Sequence, residues 1–116
     1  MAESPVISIV DDDQSVREGI VDLVRAMGFK TLAFERAKHF LQSSRLDETS
    51  CLITDVAMPG MSGFQLLEQI RELDRQAGRV TPAIAVTAHA SEEQIARSAQ
   101  AGFQNHVAKP FNGGQL

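Results

Sequence analysis

Val6 to Val10 (VISIV) is a short, nearly unbroken β-branched apolar run, the pattern of a strand covered on both faces rather than one. It stops abruptly at three acids, Asp11, Asp12 and Asp13. Beyond them Val16, Ile20, Leu23, Val24 and Met27 fall on one stripe at helical spacing, and Gly28 stands where a left-handed C-terminal cap is expected. Lys30 to Phe34 suits a second short strand, and Ala37, Phe40 and Leu41 mark a second, shorter helix. Cys51 to Thr54 reads as a buried third strand that again ends in an acid, Asp55. The loop Met58-Pro59-Gly60-Met61-Ser62-Gly63 breaks regular structure, and Leu66, Leu67, Ile70 and Leu73 give a third helical stripe. Ala83 to Val86 predicts a fourth strand ending at Thr87. Ser91 with Gln94 has the form of a capping box opening a fourth helix that stops at Gly102. A fifth strand is expected within Asn105 to Ala108, just before Lys109-Pro110.

Strands alternating with helices at this rhythm predict right-handed βαβ crossovers, hence an α/β fold with a doubly wound parallel sheet. In such sheets ligands sit beyond the carboxyl ends of the strands, where strand order reverses. The residues delivered there are Asp11 and Asp12, Asp55, Thr87 and Lys109. Composition narrows the picture without changing it. At 116 residues and 43% hydrophobic, the chain has the core material of one domain and no room for a second. A net charge of -4 supplies no basic field for nucleic acid or an anionic membrane. No run approaches the length of a bilayer span and the N-terminus lacks the pattern of a secretion signal, so a cytoplasmic location is expected. Cys51 lies in the apolar run CLIT and is expected to be a small buried hydrophobe.

Three carboxylates brought together repel, by roughly 4 kcal/mol for a pair about 4 Å apart at an effective dielectric near 20, so a cation must offset them. Hard oxygen ligands suit Mg²⁺, which keeps several waters and takes one or two protein carboxylates plus a phosphate oxygen. Lys109 supplies a fixed positive charge and Thr87 a hydroxyl donor, a set able to stabilise the equatorial oxygens of a phosphoryl group in transfer. Asp55 would be the nucleophile, forming an aspartyl phosphate. Each residue alone has a plainer reading. Acidic triplets usually complement a helix N-terminus, the only role expected of Asp13. A lone Thr commonly just finishes a strand, and a lone Lys is usually on the surface. His39, His89 and His106 lack the spacing of a zinc site.

Taken together, IVDDD, LITDVAMPGMSG, VTAHA and KPF resemble the receiver domain of two-component response regulators over nearly the whole chain. The resemblance implies a flavodoxin-like, five-stranded sheet of order 2-1-3-4-5 and a phosphorylation-dependent signalling switch rather than an enzyme. It implies that a sensor histidine kinase or phosphotransfer protein phosphorylates Asp55, and that Asp12, Asp55 and the backbone carbonyl of Ala57 bind Mg²⁺, with Asp11 assisting through water. Lys109 would contact the phosphoryl group, through a cis Lys109-Pro110 bond, and Thr87 would move toward it. Ala57 and His89 stand where the family tunes the lifetime of the phosphoryl group. His106 stands where it usually has Tyr or Phe at the switch, so that part is expected to be altered. The family further implies that a surface of helix four, strand five and helix five changes on phosphorylation, for a downstream effector domain or protein. Only Asn112 to Leu116 follow Phe111, too few for a fifth helix, so residues 1–116 are expected to be a C-terminally truncated receiver, its bare face closed by further chain or by a homodimer. Two other readings are an unphosphorylated interaction module with the same fold and an Mg²⁺-dependent phosphohydrolase. The second would need a general acid and a substrate pocket that the sequence does not offer.

Overall fold

The computed structural model describes residues 5–88 and 91–109. Five strands, β1 (Val6–Val10), β2 (Lys30–Phe34), β3 (Thr49–Asp55), β4 (Ala83–Thr87) and β5 (Asn105–Ala108), alternate with four helices, α1 (Gln14–Ala26), α2 (Ala37–Leu41), α3 (Gly63–Ala77) and α4 (Glu92–Ala101). All neighbouring strands are parallel, in the order β2-β1-β3-β4-β5, the doubly wound arrangement expected from the alternation. A single 3₁₀ turn at Leu46–Glu48 leads into β3. That strand begins two residues earlier than its apolar run. Thr49 is buried there because its hydroxyl pairs with that of Ser8 on β1 at 2.7 Å, satisfying both.

The two faces of the sheet are covered unequally. One holds the main core, where Val10, Leu52, Ala83 and Ala85 pack against Phe40 of α2 and Leu66, Leu67 and Ile70 of α3, with Phe103 after α4. The other holds a small cluster of Ile7, Ile9 and Val24, flanked by the partly buried Ile20, Phe29, Cys51 and Ile53. Beside it an apolar groove of about 380 Å³ runs from α1 to β5, past Ile84, Val86 and Val107.

That asymmetry accounts for the exposure of residues on α1 and β3 that the apolar patterns mark. Leu23 and Met27 belong to the helical stripe of α1 yet are 59% and 64% exposed, because the stripe reaches the open groove. Cys51 is half-buried rather than buried, since it faces the thin side and only Leu52 and Thr54 of its strand turn into the main core. Leu73 is also exposed on α3. Gly28 has φ 96° as the cap position requires. Ser91 Oγ accepts from the amide of Gln94, but Gln94 Oε1 is buried with no hydrogen-bond partner among the described residues. The complete capping box is instead at α3, where Ser62 and Gln65 satisfy each other's backbone amides at 3.2 and 2.9 Å.

Candidate functional site

Parallel pairing carries the strand ends to one edge. Val10 lies opposite Thr54, Asp55 opposite Val86 and Thr87 opposite Ala108, so the residues that follow the apolar runs converge. Asp11 is held at every polar point but one. Its amide donates to Phe34 O at 3.1 Å, its carbonyl accepts from Arg17 Nη1 at 2.8 Å, and its Oδ1 accepts from the amide of Asp13 at 2.9 Å. Asp13 caps α1, its Oδ1 accepting from the amides of Ser15 and Val16 at 3.0 and 3.2 Å. These bonds hold its carboxyl below the usual range.

Asp55 is 2% exposed at the end of β3, and its Oδ1 accepts from the amide of Ala57 at 3.1 Å. Helix α3 starts close behind it. The amide of Gly63 donates to Val56 O at 3.1 Å, and a Cβ on this glycine would collide with the Asp55 carbonyl oxygen and reach Val56 Cα at 2.8 Å. The sequence marks Gly63 only as the end of a breaker-rich loop, whereas the fold needs it so that α3 can approach the acid. Arg17 was likewise not singled out by the sequence. As a polar residue in the first turn of an amphipathic helix, it carries no local mark of its bond to Asp11.

Asp11, Asp12 and Asp55 each offer an oxygen within 4.8 Å of the others. Lys109 reaches in from the end of β5, one residue past the strand, its Nζ 3.1 Å from Asp55 Oδ2 and 3.6 Å from Asp11 Oδ2. The first contact is a charge-assisted hydrogen bond; the second is too long for one, and Asp11 Oδ2 is buried with no hydrogen-bond partner among the described residues. Burial pushes the Asp55 carboxyl up to about 6, with the neighbouring Asp11 adding to the rise and the Ala57 amide and Lys109 opposing it. Burial raises Asp11 as well. For Lys109 burial alone would favour the neutral amine, but the carboxylates of Asp55 and Asp11 outweigh it and the group is raised. Hard oxygens, an orphaned buried oxygen and an excess of negative charge fit a hard divalent cation such as Mg²⁺.

Thr87 is buried at the end of β4, and its carbonyl accepts from the amide of Lys109 at 2.7 Å. Ala57 is exposed beside Asp55. His106 lies away from the cluster: its partly buried ring places Nδ1 3.0 Å from Ser98 Oγ and so links β5 to α4, while Nε2 is buried without a partner among the described residues. His89 and the Lys109-Pro110 bond lie outside the described residues.

The response regulator receiver domain family model matches residues 7–116. The response regulator protein TodT of Pseudomonas putida is 35% identical over 96% of this chain and 47% of its own length. The chain spans about half the length of the curated relatives it matches. Among solved structures, the response regulator StyR is 37% identical with a TM-score of 0.77, covering 95% of this chain and 54% of that one. The chemotaxis protein CheY4 of Vibrio cholerae shares the fold at a TM-score of 0.82 and 24% identity, over 95% of this chain and 90% of that one. Receiver domains are regulatory modules of two-component systems, and they typically bind Mg²⁺ at an acidic pocket. With its motifs, its sheet order and its acidic edge in agreement, the chain belongs to the response regulator receiver domain family.

Proposed function

We propose that the chain is a phosphorylation-driven switch in the cytoplasm, in which Asp55 takes a phosphoryl group from a histidine kinase or phosphotransfer protein. The single observation that carries this reading is the placement of Lys109 Nζ 3.1 Å from one carboxylate of a three-acid cluster. Because the Asp55 carboxyl titrates at about 6, it is ionised at neutral pH and available as a nucleophile. Its oxygen forms the new P–O bond as the P–N bond to the donor imidazole breaks, the electron pair leaving with the imidazole nitrogen. Lys109 offsets charge on the phosphoryl oxygens, and the Thr87 hydroxyl turns to donate to one of them. Asp12, Asp55 and the Ala57 carbonyl would hold Mg²⁺ directly and Asp11 through water. The ion's chemistry is Lewis-acid neutralisation of the phosphoryl group. The phosphorylated form then presents an altered surface to an effector domain or protein.

The test is incubation of the chain with a small acyl phosphate and Mg²⁺, followed by intact mass. One stable phosphoryl adduct, lost in Asp55→Asn and with chelator, is the expected result. Continuous phosphate release would point to a phosphohydrolase, and an unchanged mass to an unphosphorylated interaction module; either overturns the proposal.

A further inference from the structure

Asp12 is the least anchored member of the acidic cluster, since it follows the last residue of β1 by two and precedes the helix by two. Asp11 and Asp55 sit at 1% and 2% exposure in the fold, whereas Asp12 is only partly buried. Mutual repulsion favours swinging that carboxylate out to water. The structure opposes this through the two peptide units that flank it. The unit on its N-terminal side is fixed by its carbonyl, Asp11 O, which accepts from Arg17 Nη1 at 2.8 Å. The unit on its C-terminal side is fixed by its amide, Asp13 N, which donates to Asp11 Oδ1 at 2.9 Å. With both units pinned, φ and ψ of Asp12 are set, and so is the direction of its Cα–Cβ bond, from which the carboxylate reaches the cluster.

The anchors have different origins. The bond to Asp11 Oδ1 is local, and competes with any cation that draws on the Asp11 carboxylate. Arg17 makes its bond from one turn inside α1, whose start is itself secured by the Asp13 cap and by the Arg17 amide bonding to Asp13 O at 2.9 Å. The guanidinium therefore ties the loop to a rigid element with a donor that no change in the carboxylates removes.

We infer that Arg17 is a positioning residue for divalent-cation binding: it holds the Asp11-Asp12 peptide so that the Asp12 carboxylate stays in the cluster. The inference rests on the reading of the acidic cluster as the Mg²⁺ site. Calorimetric titration of Mg²⁺ into the full chain tests it without reference to phosphorylation, using wild type, Arg17→Gln, Arg17→Lys and Ile70→Val. Ile70 lies in the main core under α3, so its variant reports general destabilisation. Arg17→Gln should bind Mg²⁺ about tenfold or more weakly, the usual effect of removing a group that orients a metal ligand, while Ile70→Val binds as wild type. Arg17→Lys, which keeps a charge and a donor but not the fork, should fall between. Wild-type affinity in Arg17→Gln, or equal weakening in Ile70→Val, overturns the inference. Should Arg17→Gln not fold, wild-type affinity in Arg17→Lys overturns it and weakened affinity supports it. Absence of Mg²⁺ binding by the wild-type chain would instead remove the site reading, and the inference with it.

Discussion

Asp55→Asn should make the metal-free protein more stable at neutral pH, even as it removes the proposed phosphoryl acceptor. Asp55 is buried at 2% exposure, and its carboxyl is raised from an ordinary 3.8 to about 6, burial being the largest cause. A carboxyl raised on folding binds its proton more tightly in the folded chain than in the unfolded one. Its contribution to stability is therefore fully present below pH 3.8 and is lost as pH rises through about 6. The gap between the two values, at about 1.4 kcal/mol per pH unit, corresponds to about 3 kcal/mol. An amide is neutral at every pH and of the same shape, so Asp55→Asn avoids the loss, while Lys109 keeps Asp11 as a partner at 3.6 Å.

For a domain of this size 3 kcal/mol corresponds to about 10 °C in Tm. Thermal melts followed by circular dichroism in chelator, from pH 3.5 to 7.5, measure it. The two proteins should converge at pH 3.5 and separate by about 10 °C at pH 7.5. Asp74, held low because hydrogen bonds from Thr81 and Arg71 outweigh its burial, loses its contribution at the acid end in both proteins and cancels in the comparison. Mg²⁺ should narrow the separation by stabilising the wild type more than the variant, which lacks one charged ligand. Equal melting at pH 7.5, or a constant offset across the whole range, would refute the electrostatic reasoning.

Gly63→Ala should cost about 1–3 kcal/mol, the usual penalty for forcing an extra carbon into a closed contact, because the new Cβ meets the backbone of Asp55 and Val56 rather than a side chain able to move; urea unfolding measures it, and a neutral result would show that α3 slides freely. The same variant should slow acyl-phosphate phosphorylation by displacing Asp55, with intact mass against time as the check. Covering the groove beside α1 should stabilise the fold: a chain extended by about 10 to 14 residues, a typical helix length, should gain on the order of 5 kcal/mol if several hundred Å² of apolar surface are buried. Equal melting of the two lengths, both monomeric by sedimentation, would show that the face is closed in another way.

The bounds of β1 were legible because its apolar run is short, β-branched and ended by Asp11, whereas β2 and β5 were legible from their places between helical stripes and the charged residues that follow them, Glu35 and Lys109. The first two residues of β3 were not legible, since Thr49 and Ser50 look like a loop until Ser8 is known to stand beside Thr49. Helical stripes told which side of α1 is apolar but not which of its residues are covered, and Leu23 and Met27 are the exposed ones, beside the open groove. Burial depends on what covers a face, and that belongs to no local pattern. The acids and Lys109 were legible as a set because chain topology alone delivers strand ends to one edge. Arg17 and Gly63 were not, because one acts through a backbone carbonyl and the other through the absence of a side chain.

That division bears on how the site can move the rest of the fold. Asp11 and Asp55 are each tied to the backbone of the segment that carries them, through the amides of Asp13 and Ala57. Lys109 is tied to β4 through Thr87 O at 2.7 Å while its amine spans two acids. Any change of charge at Asp55 therefore alters the force on β5 directly, by changing what Lys109 is drawn toward. Strand β5 is an edge strand, mostly exposed, and its side-chain link to α4 is the His106 to Ser98 bond at 3.0 Å. A segment so lightly held yields sooner than β1 or β3, which lie between partners on both sides. Charge at the acidic edge is thus linked to β5 through Lys109 and onward to α4 through the His106 to Ser98 bond.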